Sequence, residues 1–215
     1  MFGGNRFNAD SDIPDLSGKT ILVTGNNGIG EASCRQFAKH NAHVYLAART
    51  PSKAESAIAE IKKETPDANI TFLELDLASL ASVKRTAETF NASSDRLDVL
   101  LNNAGVMALP ASTTKDGYEI QFGTNHVGHA LFTKLLMPTL QRTAEEKGSD
   151  VRIVNKTPQE GALTQLFACT SPEAKSGQYY EPIAKESSGS AYSQDPKLAN
   201  ELWEWTEAEL AKHGY

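Results

Sequence analysis

The residues with the clearest chemical potential form a glycine-rich run, TGNNGIG, at positions 24–30. The run follows an apolar stretch typical of a buried strand and precedes a stretch with helical periodicity. Glycines in such a turn let the backbone approach a pyrophosphate, and the following helix supplies N–H groups and the positive end of its dipole. The run therefore predicts a nucleotide-binding turn, with an ordinary glycine turn as the alternative. The candidate binding residues are Gly25, Asn27, Gly28, Ile29 and Gly30.

A single cation follows the second predicted strand. This strand, HVYLAA at 43–48, leads into Arg49, and no Asp or Glu stands at its end. An acidic residue there would accept hydrogen bonds from the ribose hydroxyls of NAD, whereas a cation suits the 2′-phosphate of NADP. The sequence therefore favours NADP over NAD as the cofactor, with a solvated arginine as the alternative.

Polar and small residues follow the third and fourth predicted strands. Asp76 and Leu77 come after the apolar part of ITFLEL, where a carboxylate can bind an adenine amino group and an apolar neighbour can pack on the ring. The same pair equally suits the start of a helix. The run NNAG at 102–105 follows LDVLL, and its small residues allow a cofactor to lie close to the backbone. Its candidate binding residues are Asn103, Ala104 and Gly105.

Two histidines stand close together near the start of a long predicted helix. Asn125 opens this helix, and His126 and His129 follow it. Histidines three residues apart on a helix can face one site, but no third metal ligand accompanies them. We therefore interpret both as helix-surface or packing residues, and we predict no metal site.

These candidates need a scaffold that brings strand ends together. The predicted strands are 21–23, 43–48, 70–75, 97–101 and 151–155. They alternate with helical stretches, among them 52–64, one capped by Ser79, and 125–142. Strands that are apolar throughout indicate a parallel sheet covered on both faces, which is an α/β doubly wound fold of the three-layer Rossmann type. Such sheets bind ligands at the carboxyl ends of their strands, where the candidates lie.

The chain divides into three segments. Residues 1–17 form a polar lead-in, residues 18–155 the predicted dinucleotide-binding region, and residues 156–215 a C-terminal remnant expected to pack on the same domain. Within the remnant we predict four elements: a helix over 157–168, a short strand over 177–180, a surface loop over 181–195 and a helix over 196–213.

Composition excludes several classes of protein. The 215 residues suit one domain with a single core. A formal net charge of −6 argues against a nucleic-acid partner, which would require clustered Lys and Arg. No apolar run reaches the ~18 residues of a membrane span. Cys34 and Cys169 form no Cys-x-x-Cys pair, which is typical of reduced thiols in a cytoplasmic protein.

Taken together, the motifs resemble those of the short-chain dehydrogenase/reductase family. The matching pieces are TGNNGIG at 24–30, LDL at 75–77, NNAG at 102–105 and the asparagine of NHVGH at 125–129. LAART and NHVGH look most like the branch of retinol-dehydrogenase-like and related fungal reductases.

The resemblance implies NAD(P)-dependent interconversion of a small-molecule alcohol and a carbonyl compound by hydride transfer. The family uses a catalytic Ser, Tyr and Lys, and an Asn that organises a proton relay. Of these four residues only the Asn can be carried over, as Asn125. Family dimers use the long helix and the helix after it, so the resemblance leaves open whether this chain forms a homodimer.

Two departures from the family pattern make impaired or absent catalysis the expectation. In the family the fifth strand leads to a Ser-containing loop and a Tyr-x-x-x-Lys helix, whereas here VRIVN runs directly into KTPQEG at Asn155-Lys156. None of the 6 tyrosines has a lysine four residues later. A helix and a strand with their connections, roughly 60 residues or more, are therefore expected to be missing. The second departure is in the glycine turn, which has one residue fewer than the family pattern between its first two glycines.

The missing segment has consequences for the sheet. We expect the sheet to be incomplete between its fifth and last strands. We also expect poor stability, because apolar faces and strand edges would be exposed.

Three functions follow from these observations. The first is an NADP-dependent oxidoreductase of the short-chain type that is impaired or inactive in this shortened form. The second is a non-catalytic NADP(H)-binding or interaction module, since the cofactor half remains while the catalytic half is missing. The third is a doubly wound protein unrelated to nicotinamide, against which NNAG and Asn125 together argue.

Overall fold

A computed structural model describes residues 7–155, 162–181 and 183–215. Five strands form its central sheet: β1 (Thr20–Thr24), β2 (His43–Ala48), β3 (Ile70–Glu74), β4 (Val99–Asn102) and β5 (Arg152–Asn155). All neighbouring pairs are parallel, and the order is β3-β2-β1-β4-β5. The order reverses between β1 and β4, which is where doubly wound sheets form their ligand crevice. The predicted doubly wound parallel sheet is therefore confirmed.

Helices cover both faces of this sheet. They are α1 (Ile29–Lys39), α2 (Pro51–Glu64), α3 (Leu80–Ser93), α4 (Ile120–Phe122), α5 (Gly128–Ala144), α6 (Ala162–Thr170) and α7 (Pro196–Lys212), with a π-helical stretch, Gly123–Val127, leading into α5. The predicted cap on α3 is confirmed, because the Ser79 side chain accepts a hydrogen bond from the Ser82 N–H. Asp195 caps α7 in the same way.

The core has two parts, one on each face of the sheet. Strand side chains alternate between the faces: Ile21 and Val23 of β1 join the core part under α1, α2 and α6, and Leu22 joins the part under α3 and α5. The N-terminal segment contributes to the first part, since Phe7, Ile13 and Leu16 are buried there. Leu210 of α7 contributes to the second.

The C-terminal part differs from the sequence-based prediction. The predicted strand at 177–180 is present as β6 (Tyr179–Glu181), but it pairs antiparallel with β7 (Lys185–Ser187) in a separate two-stranded sheet and does not extend the central one. The prediction of a loop over 181–195 is therefore wrong at β7. It missed this strand because a three-residue strand of polar residues has no period that sequence reading can detect. Of the helix predicted over 157–168, residues 157–161 lie outside the described residues, and α6 begins at Ala162.

β5 forms one edge of the central sheet in the described part of the chain. Its residues alternate between half-buried and exposed, and Ile153 is 40% exposed. An apolar side chain of β5 is therefore partly exposed at this edge. Of the helices in the three described ranges, none is both long and apolar enough to cross a lipid bilayer.

Candidate functional site

A cavity of about 1120 Å³ opens at the carboxyl ends of the strands. It brings together residues that the sequence singled out one by one: Gly25, Asn27, Arg49, Asp76, Leu77, Asn103, Ala104, Gly105 and Asn125. Gly28, Ile29 and Gly30 do not line it, because they form the start of α1 behind the turn. The candidate cofactor residues after β1, β2, β3 and β4 thus share one cavity.

Close backbone packing explains why glycines occupy the turn after β1. Gly25 has φ +89°, and a Cβ on it would lie 3.3 Å from the Cα of Ala104. A Cβ on Gly30 would lie 2.4 Å from the Gly25 carbonyl oxygen and 2.5 Å from Asn103 Nδ2. A side chain at position 30 would therefore push the turn away from the residues that follow β4.

Thr24 connects the glycine turn to the residues after β4. Its Oγ1 accepts hydrogen bonds from the backbone N–H groups of Asn103 and Ala104, both at 2.9 Å. In return, Asn103 Nδ2 donates to the Thr24 carbonyl oxygen at 2.8 Å. Gly25 and Ala104 are thereby held against each other, and both line the cavity.

His129 of α5 is a functional neighbour that the sequence analysis interpreted as a surface or packing residue. It is buried, it lines the cavity, and its Nε2 lies 2.9 Å from Thr24 Oγ1. Burial lowers the pKa of His129 to about 4, so the ring is neutral at pH 7. Its partner Thr24 precedes it by more than one hundred residues, so no local pattern could have indicated the contact.

Asn125, the candidate catalytic residue, has a side chain whose oxygen and nitrogen each bond the loop after NNAG. Its Oδ1 accepts from the Val106 N–H, and its Nδ2 donates to the Val106 carbonyl oxygen, both at 2.8 Å. Its own carbonyl oxygen lies 3.1 Å from His129 Nδ1. In this arrangement Asn125 fixes the loop that borders the cavity.

The end of the cavity near β2 and β3 carries the charged candidates. Arg49 is exposed, and it makes no hydrogen bond or ion pair with another described residue. Asp76 Oδ2 pairs with Lys115 Nζ at 3.0 Å, and its Oδ1 accepts from the Ala78 N–H. Leu77 is buried beside them. A guanidinium that can still take a partner is therefore present where the sequence predicted a 2′-phosphate contact.

Helix α7 forms part of the cavity wall, a role that was not predicted from the sequence. Leu202, Trp203, Thr206 and Glu207 are among its lining residues. His126 Nε2 lies 2.8 Å from Thr206 Oγ1, and Lys134 Nζ of α5 lies 2.8 Å from a Glu207 carboxylate oxygen. Burial lowers the pKa of His126. These bonds hold α7 against the helix that follows the catalytic candidate.

Three buried polar atoms at the cavity have no hydrogen-bond partner among the described residues. They are Asn26 Nδ2, Asn102 Oδ1 and Thr124 Oγ1, and all three residues line the cavity. Buried polar groups are normally paired, so unpaired ones in a cavity indicate a polar ligand or water. Asn26 stands in the glycine turn, where a free side-chain N–H suits a phosphate oxygen.

The lining of the cavity bears on proton transfer. None of the described residues that line it is a tyrosine. No group of three or more His, Cys, Asp and Glu that could hold a metal is present in the described ranges.

Comparison with known proteins gives a family and several relatives. A family model for short chain dehydrogenases matches residues 19–170. An uncharacterized oxidoreductase of Schizosaccharomyces pombe is 49% identical over 147 residues, which cover 67% of this chain but only 43% of that protein. A short-chain dehydrogenase/reductase of Armillaria gallica is 34% identical over 285 aligned positions that cover 92% of each chain. A crystal structure of an uncharacterized Mycobacterium paratuberculosis protein is similar with a TM-score of 0.78 at 25% identity, over 95% of this chain and 97% of that one.

The Armillaria gallica alignment also contains a difference in length. It extends over 285 positions, whereas this chain has 215 residues, so at least 70 positions, the difference between the two, face a gap in this chain. This relative therefore carries residues that have no counterpart here.

Proposed function

The chain belongs to the short-chain dehydrogenase family of oxidoreductases, and we propose that it is an NADP-binding member whose alcohol–carbonyl chemistry is impaired or absent. One observation carries the proposal: the cavity unites the cofactor-binding candidates and contains no tyrosine among its described lining residues. The described lining thus brings the binding candidates together, and it includes no tyrosine for proton transfer.

The cofactor half of the cavity, which is the part lined by the glycine turn, Arg49, Asp76 and Leu77, fits a dinucleotide. The unpaired Asn26 Nδ2 and the close-packed glycine turn suit a pyrophosphate, and Arg49 suits a 2′-phosphate. Leu77 offers an apolar surface for the adenine ring, and Asp76, already paired with Lys115, keeps further lone pairs for an amino group. When bound, NADP supplies the hydride or accepts it. The protein's own contribution is to orient the cofactor and to exclude water from it.

Neither a serine nor a tyrosine is among the described residues that line the catalytic half of the cavity. We propose that the family's Ser, Tyr and Lys belong to the stretch that the Armillaria gallica relative has in addition, and that this stretch is missing at Asn155-Lys156. Two of the titratable side chains in this half of the cavity, His126 and Lys134, are held by Thr206 and Glu207 of α7. Asn125 remains, but an amide cannot replace a tyrosine as proton donor.

Cofactor binding tests the first part of this proposal. Trp203 lines the cavity, so NADPH and NADH titrations followed by tryptophan fluorescence should both report on it. We expect NADPH to bind more tightly than NADH. The Arg49→Ala variant, whose exposed side chain can be removed without loss of packing, is the matched control and should bind the two cofactors about equally. No response at millimolar NADPH would contradict the proposal.

Turnover tests the second part. We expect no protein-dependent oxidation of NADPH with a panel of aldehydes and ketones. Insertion of the corresponding stretch of the Armillaria gallica relative between Asn155 and Lys156 should restore turnover, because the cofactor residues are already present. A robust rate from the unmodified chain would overturn the assignment of impaired chemistry. Cofactor binding without turnover in both chains would favour a non-catalytic binding module.

Location, domain division and oligomeric state complete the proposal. Cys34 and Cys169 are both unpaired and buried, which supports a reducing compartment such as the cytoplasm. We propose that residues 18–155 form the cofactor-binding region, that residues 1–17 are a lead-in to it, and that residues 156–215 pack on the same domain. Limited proteolysis would test this division, and sedimentation would test whether the chain forms a homodimer.

A further inference from the structure

His129 stands between three parts of the cofactor site. It lies on α5, its Nε2 is 2.9 Å from Thr24 Oγ1 at the end of β1, and its Nδ1 is 3.1 Å from the Asn125 carbonyl oxygen. Thr24 Oγ1 in turn receives the backbone N–H groups of Asn103 and Ala104 after β4. One buried imidazole therefore connects α5 with the ends of both strands at the point where the strand order reverses.

The contacts determine where the protons lie. A carbonyl oxygen can only accept, so His129 Nδ1 carries the hydrogen and donates it to Asn125. In a neutral imidazole Nε2 is then the acceptor, and the Thr24 hydroxyl must donate to it. Thr24 Oγ1 thus uses its one proton on His129, and its lone pairs receive Asn103 and Ala104. Every hydrogen-bonding position of the hydroxyl is filled.

This bond fixes the direction of the Thr24 hydroxyl. The other acceptor within reach is the Leu101 carbonyl oxygen, at 3.5 Å, which is a weak alternative. Without His129 the hydroxyl would be free to turn, and its lone pairs would no longer be aimed at the N–H groups of Asn103 and Ala104. Ala104 lies against Gly25, so the cavity wall would lose its fixed position.

We propose that His129 is a positioning residue of the cofactor site, which acts through the Thr24 hydroxyl to hold Ala104 and Gly25 in place for the cofactor. The inference rests on the proposed binding of NADP. It assigns to His129 a role that neither its place on a helix nor its spacing from His126 suggested.

A double-mutant cycle tests the proposal on NADPH affinity. His129→Phe removes the acceptor and should raise the Kd for NADPH about tenfold, the effect of one hydrogen bond. In a Thr24→Val background the same substitution should change the Kd by less than about twofold, because the hydroxyl that His129 holds is gone. His129→Gln, whose amide oxygen can accept from Thr24, should restore the affinity to within about threefold of the unsubstituted chain.

The outcomes separate this inference from the proposed function. Failure of the unsubstituted chain to bind NADPH would remove both proposals. A folded His129→Phe protein with unchanged Kd, or equal effects of the substitution in both Thr24 backgrounds, would remove only the role of His129. A role limited to stability would lower the unfolding temperature of His129→Phe without the rescue of affinity by Gln.

A second measurement needs no variant. In protein labelled with ¹⁵N at histidine, His129 should show a neutral imidazole protonated at Nδ1 at pH 7, and NADPH should shift its resonances. Protonation at Nε2 would contradict the assigned direction of the Thr24 hydrogen bond and overturn the inference.

Discussion

Acid should destabilise this protein through His129 in a defined pH range. The ordinary pKa of histidine is 6.5, and burial lowers the pKa of His129 to about 4 in the folded chain. As the pH falls below 6.5, the unfolded chain therefore binds a proton that the folded chain does not. The stabilisation is complete above pH 6.5, decreases with falling pH, and is lost when the pH reaches about 4. The difference of roughly 2.5 between the pKa of His129 in the unfolded and the folded chain corresponds to about 3 kcal/mol of unfolding free energy.

The His129→Gln variant isolates this effect, because glutamine keeps an acceptor for Thr24 but does not titrate. Carboxylates change the unfolding free energy mainly at lower pH. Burial opposes ionisation of Asp98, but Arg96 and its other donors outweigh burial and lower its pKa below 3.8. Its stabilisation is therefore present above 3.8 and lost only as the pH falls through the lowered value. His126 also has a lowered pKa. It is present in both proteins, so its contribution to the pH dependence of stability cancels when the two are compared.

The assay is urea unfolding at several pH values between 7.5 and 4, followed by tryptophan fluorescence. Relative to the variant, the unsubstituted chain should lose about 3 kcal/mol across this range, a large share of the 5–15 kcal/mol that is typical of a folded domain. A difference between the two proteins that stays constant with pH would refute the reasoning. It would mean that His129 is protonated in the folded chain, or that it is not buried as described.

Three further predictions concern single positions. Gly30→Ala should lower the unfolding free energy by about 1–3 kcal/mol in urea titrations and abolish NADPH binding, because its Cβ would lie 2.4 Å from the Gly25 carbonyl oxygen. Arg49→Glu should raise the Kd for NADPH at least about tenfold in fluorescence titrations while leaving that for NADH within about threefold. Asp98→Ala should cost about 3 kcal/mol in thermal or urea unfolding, because its side chain is 1% exposed and its loss leaves the Lys19 ammonium and the Thr20 N–H without their partner. As an exposed control, Asp10→Ala should change stability far less than Asp98→Ala in the same assay.

The fold could be predicted from the sequence because the residue patterns that indicate each strand and helix are local. Apolar runs such as 43–48 are buried on both faces of the sheet, and the cap at Ser79 lies beside the helix that it begins. The doubly wound arrangement followed from the right-handed connections between the strands. β6 and β7 show the limit of prediction from local patterns. The pairing of two such short strands depends on tertiary contacts and leaves no periodicity in the sequence.

The site was predicted in part for the same reason. Residues that follow strands can be placed at the carboxyl edge from their position alone, and Gly25, Arg49 and Asp76 do line one cavity. Contacts between distant segments could not be placed in this way. The bond between Thr24 and His129, and the wall that Trp203 of α7 contributes, both depend on how helices dock after the sheet has formed.

We expect cofactor binding and turnover to be separable in this chain because of where the supporting contacts lie. The bonds that hold the cofactor wall join β1, the residues after β4, and α5, all within residues 20–144. The contact from the C-terminal part to this network is weak, since Gln165 Nε2 lies 3.5 Å from Asn103 Oδ1. On the proposal that a stretch is missing at Asn155-Lys156, its loss would remove groups that act on the substrate and would leave intact the bonds that shape the cofactor wall. The physical expectation is a protein that loses kcat and retains much of its affinity for NADP.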